Sequence, residues 1–358
     1  LFGMPLSKVK QNIPIKTNIF WKLYQEDPLL KPRFPSPILA DPSFLFPETT
    51  LDHKWHLVAH DIFGILHYHS ENGIEWSKPK RLLFHGMRPF LFQERSTYYL
   101  YFEKYKPFHV LMSWFPFRKW ESEIMVMTSK DLKHWDTPKT LLKPSKPFHS
   151  DSKWGNSVSN PCLVKVSDEK YRLYYSSSLA YVTDCGFCEP KHISVAESEN
   201  PLGPFRIFSQ PIFSPMESDM FCNVAAGSIK VLQWRDRFFG FQNGIYWNEE
   251  EKKSGSAILF LQSEDGLNWE RINSIPILGP NGRGWKGSHI YACDVKFSEA
   301  EKLFILYFNA RDKAHWTQGK EAIGLFVGKV EEIFKTNQTR PKAKAKPKAK
   351  KKMKGKRK

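Results

Sequence analysis

GILHYHSENGIEW, residues 64–76, decides the fold because the chain keeps returning to its pattern. It reads as an alternating apolar run, a Ser, an acid or Lys, and an aromatic six or seven residues after the Ser. The same order stands in IMVMTSKDLKHW (124–135), ISVAESENPLGPF (193–205) and AILFLQSEDGLNW (257–269). The Ser falls at 70, 129, 198 and 263, spacings of 59, 69 and 65. A degenerate fifth copy, IGLFVGKVEEIF, begins at Ile323. Self-similarity at a near-constant period is the mark of a repeat architecture.

Two more strand-like runs precede each copy. The first runs often open on a polar residue and Pro: ADPSFLF from Ala40, MRPFLF from Met87, SNPCLV from Ser159, then AAGSIKVL from Ala225 and ACDVKF from Ala292. The second runs are rich in Tyr, Phe and Leu: WHLVAH, YYLYFE, YRLYYSS, RFFGFQN and LFILYFN. Alternation and aromatic content both call for strands. Units of this length are too short for separate sandwiches of about 100 residues. A single blade cannot bury both of its faces, so the units must close into a ring. The expectation is an all-β chain, a five-bladed β-propeller over residues 35–335. Residues 1–34 are expected to pack along its outside, and 336–358 to form a disordered basic tail.

The 358 residues are 41 % hydrophobic and 15 % aromatic, as a folded chain requires. Their net charge of +17 belongs mostly to PKAKAKPKAKKKMKGKRK at 341–358, which holds ten Lys, one Arg and no acid and so leaves +6 for the rest. That tail has too little apolar surface to offset its ordering entropy. It reads either as a solvated, dispensable tail or as a contact with a polyanion through counterion release, without sequence preference. No apolar run approaches the roughly 18 residues of a membrane-spanning helix. The first 30 residues lack the apolar segment of a signal peptide. Five Cys make no disulfide framework, and a reducing cytoplasm is expected.

The first strand of each propeller blade lines the central channel, and the starts of these strands converge at one mouth. Asp41, Arg88, Asn160, the 225–228 stretch and Asp294 are therefore the expected pocket floor. With ADPSFLF (40–46), the Ser-to-Trp motif and SVAESENPLGPF (194–205) in view, the sequence resembles the five-bladed propeller glycosidases over about residues 35–330. The likeness is to glycoside hydrolase family 43 and its β-fructosidase relatives. It implies a carbohydrate ligand; no cofactor and no metal are expected. It also implies three carboxylates at the mouth: a general base, a residue that tunes the acid, and a general acid. Asp41 matches the base; the second position holds Asn160; the blade-four strand offers no acid. Asp41 is thus expected as general base or nucleophile. The alternative is a propeller that binds or transfers a sugar without hydrolysing it.

Asp294 and Glu217 are the leading replacements for the acid, and Glu103 ends the second run of blade two. Arg88 would hold an anionic ligand group or keep a neighbouring Asp ionised. His289 could act as an acid or as a ligand-orienting donor. A sugar ring needs one apolar face and a polar rim, which Trp154, Asn156, Ser157 and Trp285 could supply. Cys185 and Cys188 with His192 invite a zinc reading, but no second ligand pair of matching spacing accompanies them.

Overall fold

The computed structural model describes residues 16–106 and 119–333. The tail and residues 1–15 lie outside them, and with them the expectations of disorder and of a polyanion contact. One compact unit spans Phe20–Lys329. Of a second unit, Leu1–Ile19 with Val330–Lys358, only 16–19 and 330–333 are described.

Five antiparallel blades make up the propeller. Blade one is Ala40–Leu45, Trp55–His60, Gly64–Ser70 and Lys80–Phe84. Blade two is Gly86–Glu94, Thr97–Tyr105, Trp120–Ser129 and Lys139–Leu142. Blade three is Val158–Ser167, Lys170–Val182, Phe187–Ser198 and Arg206–Ile207. Blade four is Ala225–Trp234, Arg237–Asn248, Lys253–Ser263 and Glu270–Arg271. Blade five runs His289–Ser298, Leu303–Arg311 and Glu321–Ile333, and its fourth strand is Lys16–Leu23. The strand Lys16–Leu23 therefore completes a blade by pairing with Glu321–Ile333. Trp21 stacks on Phe326 with ring centroids 5.4 Å apart, and Tyr24 N donates to Leu325 O.

The repeated motif is the turn that leaves each third strand. Ser70, Ser129 and Ser263 accept the backbone N–H three residues on, at 3.0, 2.9 and 2.8 Å. Asn72, Asp131 and Asp265 each accept two more backbone N–H groups. These short polar side chains satisfy the turn's donors locally. The turn also latches blade to blade: Tyr307 donates to Gly73 O, Tyr101 to Pro201 O and Tyr174 to Gly266 O, at 2.6–2.8 Å. Those tyrosines come from the second runs, so their aromatic richness and the repeated turn are two halves of one contact. Between blades, buried clusters such as Leu57, Ala59, Tyr307 and Leu325 form the core.

Candidate active site

A bulge interrupts the pairing of the first and second strands in every blade, between Ala40 and Ser43, Met87 and Phe90, Ser159 and Cys162, Ala225 and Ser228, and Ile290 and Cys293. Bulges re-aim side chains. Three of them hold a non-Gly residue in the left-handed region, Asp41 at φ 52°, Arg88 at 52° and Asn160 at 50°. Asp and Asn tolerate this conformation, whereas it is less usual for Arg. In blade four the left-handed residue is Gly227, where an added Cβ would lie 1.8 Å from Asn243 O. In blade five the residue opening the bulge is Tyr291.

Around these bulges the ends of second strands and the starts of third strands close the mouth. His60 Nε2 and Asp41 Oδ2 are 2.8 Å apart. Burial alone would raise the Asp41 carboxyl, but the His60 bond and the charges of His60, Arg88 and Lys230 outweigh it and hold the carboxyl below its ordinary value. The same balance acts in reverse on His60: burial would lower it, and Asp41 holds it raised. Arg88 Nη1 donates to Glu103 Oε2 at 2.7 Å, and Trp120 Nε1 to Glu103 Oε1 at 3.3 Å. On the blade-five side Asn309 accepts from Asp41 N, and Glu321 binds Asn309 and Arg311.

Glu189, at the start of the blade-three third strand, is the residue sequence reasoning missed. Burial pushes its carboxyl up; Arg88 draws it down, the negative charges of Glu321 and Asp41 push it up again, and it settles at about 7. A third strand runs parallel to its first strand, so its opening residues reach the same mouth. An acid among apolar neighbours there, as in FCEP (187–190) or EAIG (321–324), was the available signal.

The other expected site residues fall as follows. Asp294 is buried and engaged: its Oδ2 accepts from Ser43 Oγ at 2.7 Å and Phe44 N at 3.0 Å, and Lys296 lies 3.3 Å away. It clamps blade five to blade one. Facing the blade seam, it has no described contact with Asp41. Glu217 is exposed on its loop, and no contact among the described residues brings it to Asp41. Ser157 is buried and ties His149 O to Ser178 N through its backbone. Asn156 pairs with Ser150 and Glu121 in two short strands. Trp285 stacks on Phe308 and donates to Glu26 O. His289 is buried, bonded to Ser254 and Ser288, and lowered by burial to about 4; it lies behind Tyr291, rings stacked at 5.2 Å. Trp154 stacks on Tyr181 at 4.6 Å, next to Ala180, the cross-strand partner of Glu189. Cys185 rests against Ser254 and His289, while Cys188 pairs with Tyr181. Arg88 lies beside two carboxylates of the mouth, bonding Glu103 through Nη1 and holding Asp41 lowered by its charge.

A cavity of about 560 Å³ lies at the C-terminal ends of the same five strands, lined by residues such as Leu45, Phe92, Val164, Trp234 and Lys296. Its acids are matched with lysines, Asp294 with Lys296 and Glu299 with Lys302. The split carboxyls are at the opposite, Asp41 end, which is the candidate site.

No family model matches the sequence, and no curated protein is significantly similar to it. Solved structures are similar in fold. A thermostable family-43 glycoside hydrolase superposes at a TM-score of 0.56 with 15 % identity, over 85 % of this chain and 96 % of that one. Its five-bladed β-propeller fold is present here. A family-117 glycoside hydrolase from the marine bacterium Zobellia galactanivorans gives 0.54 at 14 % identity, over 87 % of this chain and 90 % of that one. An N-acetylgalactosamine deacetylase from F. plautii, solved with blood group B trisaccharide, gives 0.54 at 12 % identity, over 88 % and 93 %. Proteins of one fold thus differ in chemistry, and the fold alone fixes no activity.

Proposed function

We propose that this protein cleaves a glycosidic bond of a carbohydrate bound at the Asp41 mouth. One observation carries the reading: Asp41 and Glu189 share a mouth, feel each other's charge, and have their carboxyls moved in opposite directions. Two carboxyls pushed apart in this way are an acid and a base at neutral pH. Asp41, ionised and oriented by His60, takes a proton from the attacking water. Glu189, protonated over a good part of the population near pH 7, delivers its proton to the leaving oxygen. Arg88 keeps Asp41 ionised. Trp154 and Tyr181 offer an apolar face at the rim. The glycosidase fold of the neighbours, among them an arabinanase from Cellvibrio cellulosa solved with arabinohexaose, supports a carbohydrate ligand.

Asn160 and the acid-free Ala226–Gly227 bulge favour a second reading, in which a sugar is bound without hydrolysis. Activity on a panel of aryl glycosides and oligosaccharides, wild type against Asp41→Asn, separates the two. Turnover lost in the variant supports hydrolysis. Oligosaccharide binding with no turnover in the wild type supports the second reading. The five cysteines are unpaired thiols, in keeping with a reducing compartment such as the cytoplasm. No helix among the described residues is long and apolar enough to cross a membrane.

A further inference from the structure

Asp41 stands in a bulge, between the pairs Ala40 with His60 and Ser43 with Val58, so its backbone N–H falls outside the blade-one ladder. Its acceptor comes from another blade. Asn309 Oδ1, near the end of the blade-five second strand, takes the Asp41 N–H at 3.1 Å. Asn309 is 1 % exposed, and its Nδ2 donates to Glu321 Oε2 at 2.9 Å. Glu321 is held in turn by Arg311 Nη1, and Arg311 also donates to the carbonyls of Lys313 and His315. The backbone of Glu321 reaches the same segment: its N–H donates to Pro37 O at 3.0 Å, and its carbonyl accepts from Leu39 N at 3.1 Å. The residues that lead into Asp41 are thus seated on blade five.

The contact needs an amide. One end of Asn309 accepts from a backbone N–H while the other donates to a carboxylate. An Asp there would set a second carboxylate against Glu321, and a Leu would bond neither partner. The device recurs around the ring, with a second-strand side chain reaching the bulge of the next blade. Asn243 Nδ2 donates to Ile290 O at 2.8 Å and Ser176 Oγ to Gly227 O at 2.7 Å. Of these three contacts, the one from Asn309 holds a residue that carries a carboxylate. Asp41 has φ 52°, and its Oδ2 is 2.8 Å from His60 Nε2. His60 therefore fixes the side chain and Asn309 the backbone. We propose that Asn309, backed by Glu321, is a positioning residue for Asp41, holding the bulge in the conformation that presents the carboxylate to His60 and to the attacking water. The catalytic part rests on the reading of Asp41 as the base; the placement of the carboxylate is testable without turnover.

The test uses the full-length chain with Asn309→Leu, close in size and unable to bond either partner. The His60 imidazole is followed by NMR on histidine-labelled protein, its signal assigned by its absence in His60→Gln. In the wild type Asp41 holds His60 above its ordinary value. With the carboxylate out of place, the His60 titration should fall by about 1–3 pH units, the effect of losing one close opposite charge. On an aryl glycoside that the wild type turns over, kcat should fall about 10- to 100-fold with KM within about threefold, as for a misplaced catalytic group. A lower melting temperature with His60 and kcat as in the wild type would make Asn309 a structural latch only and overturn the proposal. A raised KM with kcat unchanged would overturn it as well, since binding and not the base would then depend on the amide. If Asn309→Leu does not fold, Asn309→Ala is read in its place, and failure of both would assign the amide to ring closure and overturn the proposal. A wild type that turns over none of the glycosides would sink the hydrolysis reading, while the His60 titration would still decide whether Asn309 places Asp41.

Discussion

Replacing Glu189 with Gln should stabilise the protein at alkaline pH while removing its activity. Buried among Asp41 and Glu321, the Glu189 carboxyl is raised from 4.5 to about 7. At about 1.4 kcal/mol per pH unit, that shift corresponds to a destabilisation of about 3 kcal/mol once the group is ionised in both states. The sign follows from proton counting. Between pH 4.5 and about 7 the native state holds the proton that the unfolded state has released. Stability therefore falls as pH rises through that window. Below it Glu189 is neutral in both states and contributes nothing. Gln is neutral at every pH and lifts the penalty. At roughly 2 °C per kcal/mol for a domain of this size, the variant should melt about 6 °C above wild type at pH 8 and together with it at pH 4. Scanning calorimetry from pH 4 to 8.5 measures this directly. In the same series, wild-type turnover should fall on the alkaline side with a midpoint near 7. Two melting curves that stay parallel across the whole range would refute the buried-acid reasoning, and with it Glu189 as the proton donor.

Asp41→Asn should lower kcat by about 10²- to 10⁴-fold, the size of a general-base contribution. Because the native carboxylate is favoured by His60, the variant should also lose about 1–2 kcal/mol at pH 7, a loss that vanishes as pH falls through the native Asp41 value. Arg88→Met leaves the fully buried Glu103 carboxylate without its partner and should cost about 3–5 kcal/mol, read by urea unfolding. Asp294→Ala strips acceptors from Ser43 and Phe44 N at the seam of blades five and one. It should cost about 2–3 kcal/mol in the same assay while kcat at low temperature stays near wild type; a kcat loss like that of Asp41→Asn would restore Asp294 to the site.

The ring itself was legible in the sequence. Period-two alternation marks strands because successive side chains face opposite sides of a sheet. The Ser and Asx residues of the repeat mark turns because their side chains bond the backbone within three residues. Asp41, Arg88 and Asn160 were legible as mouth residues for the same reason: each opens a first strand, and Pro follows it. These are local rules, and the chain states them locally. Other features depended on closure. Lys16–Leu23 gives no sign of being the outer strand of blade five, since its partner is some 300 residues away and is found only when the ring closes. Asp294 was grouped with Asp41 from the sequence, yet it lies three residues past Tyr291, which holds the position of Asp41 in blade five, and closing the ring sets it against Ser43 and Phe44 of blade one and occupies its carboxylate. Glu189 and His60 come from the third and second strands of different blades, and an acid or an imidazole in a strand has an ordinary pKa until neighbours are placed around it. Burial and the summed charges of Arg88, Glu321 and Asp41 exist only in the folded ring, so the opposite shifts of the Asp41 and Glu189 carboxyls were decided by tertiary structure.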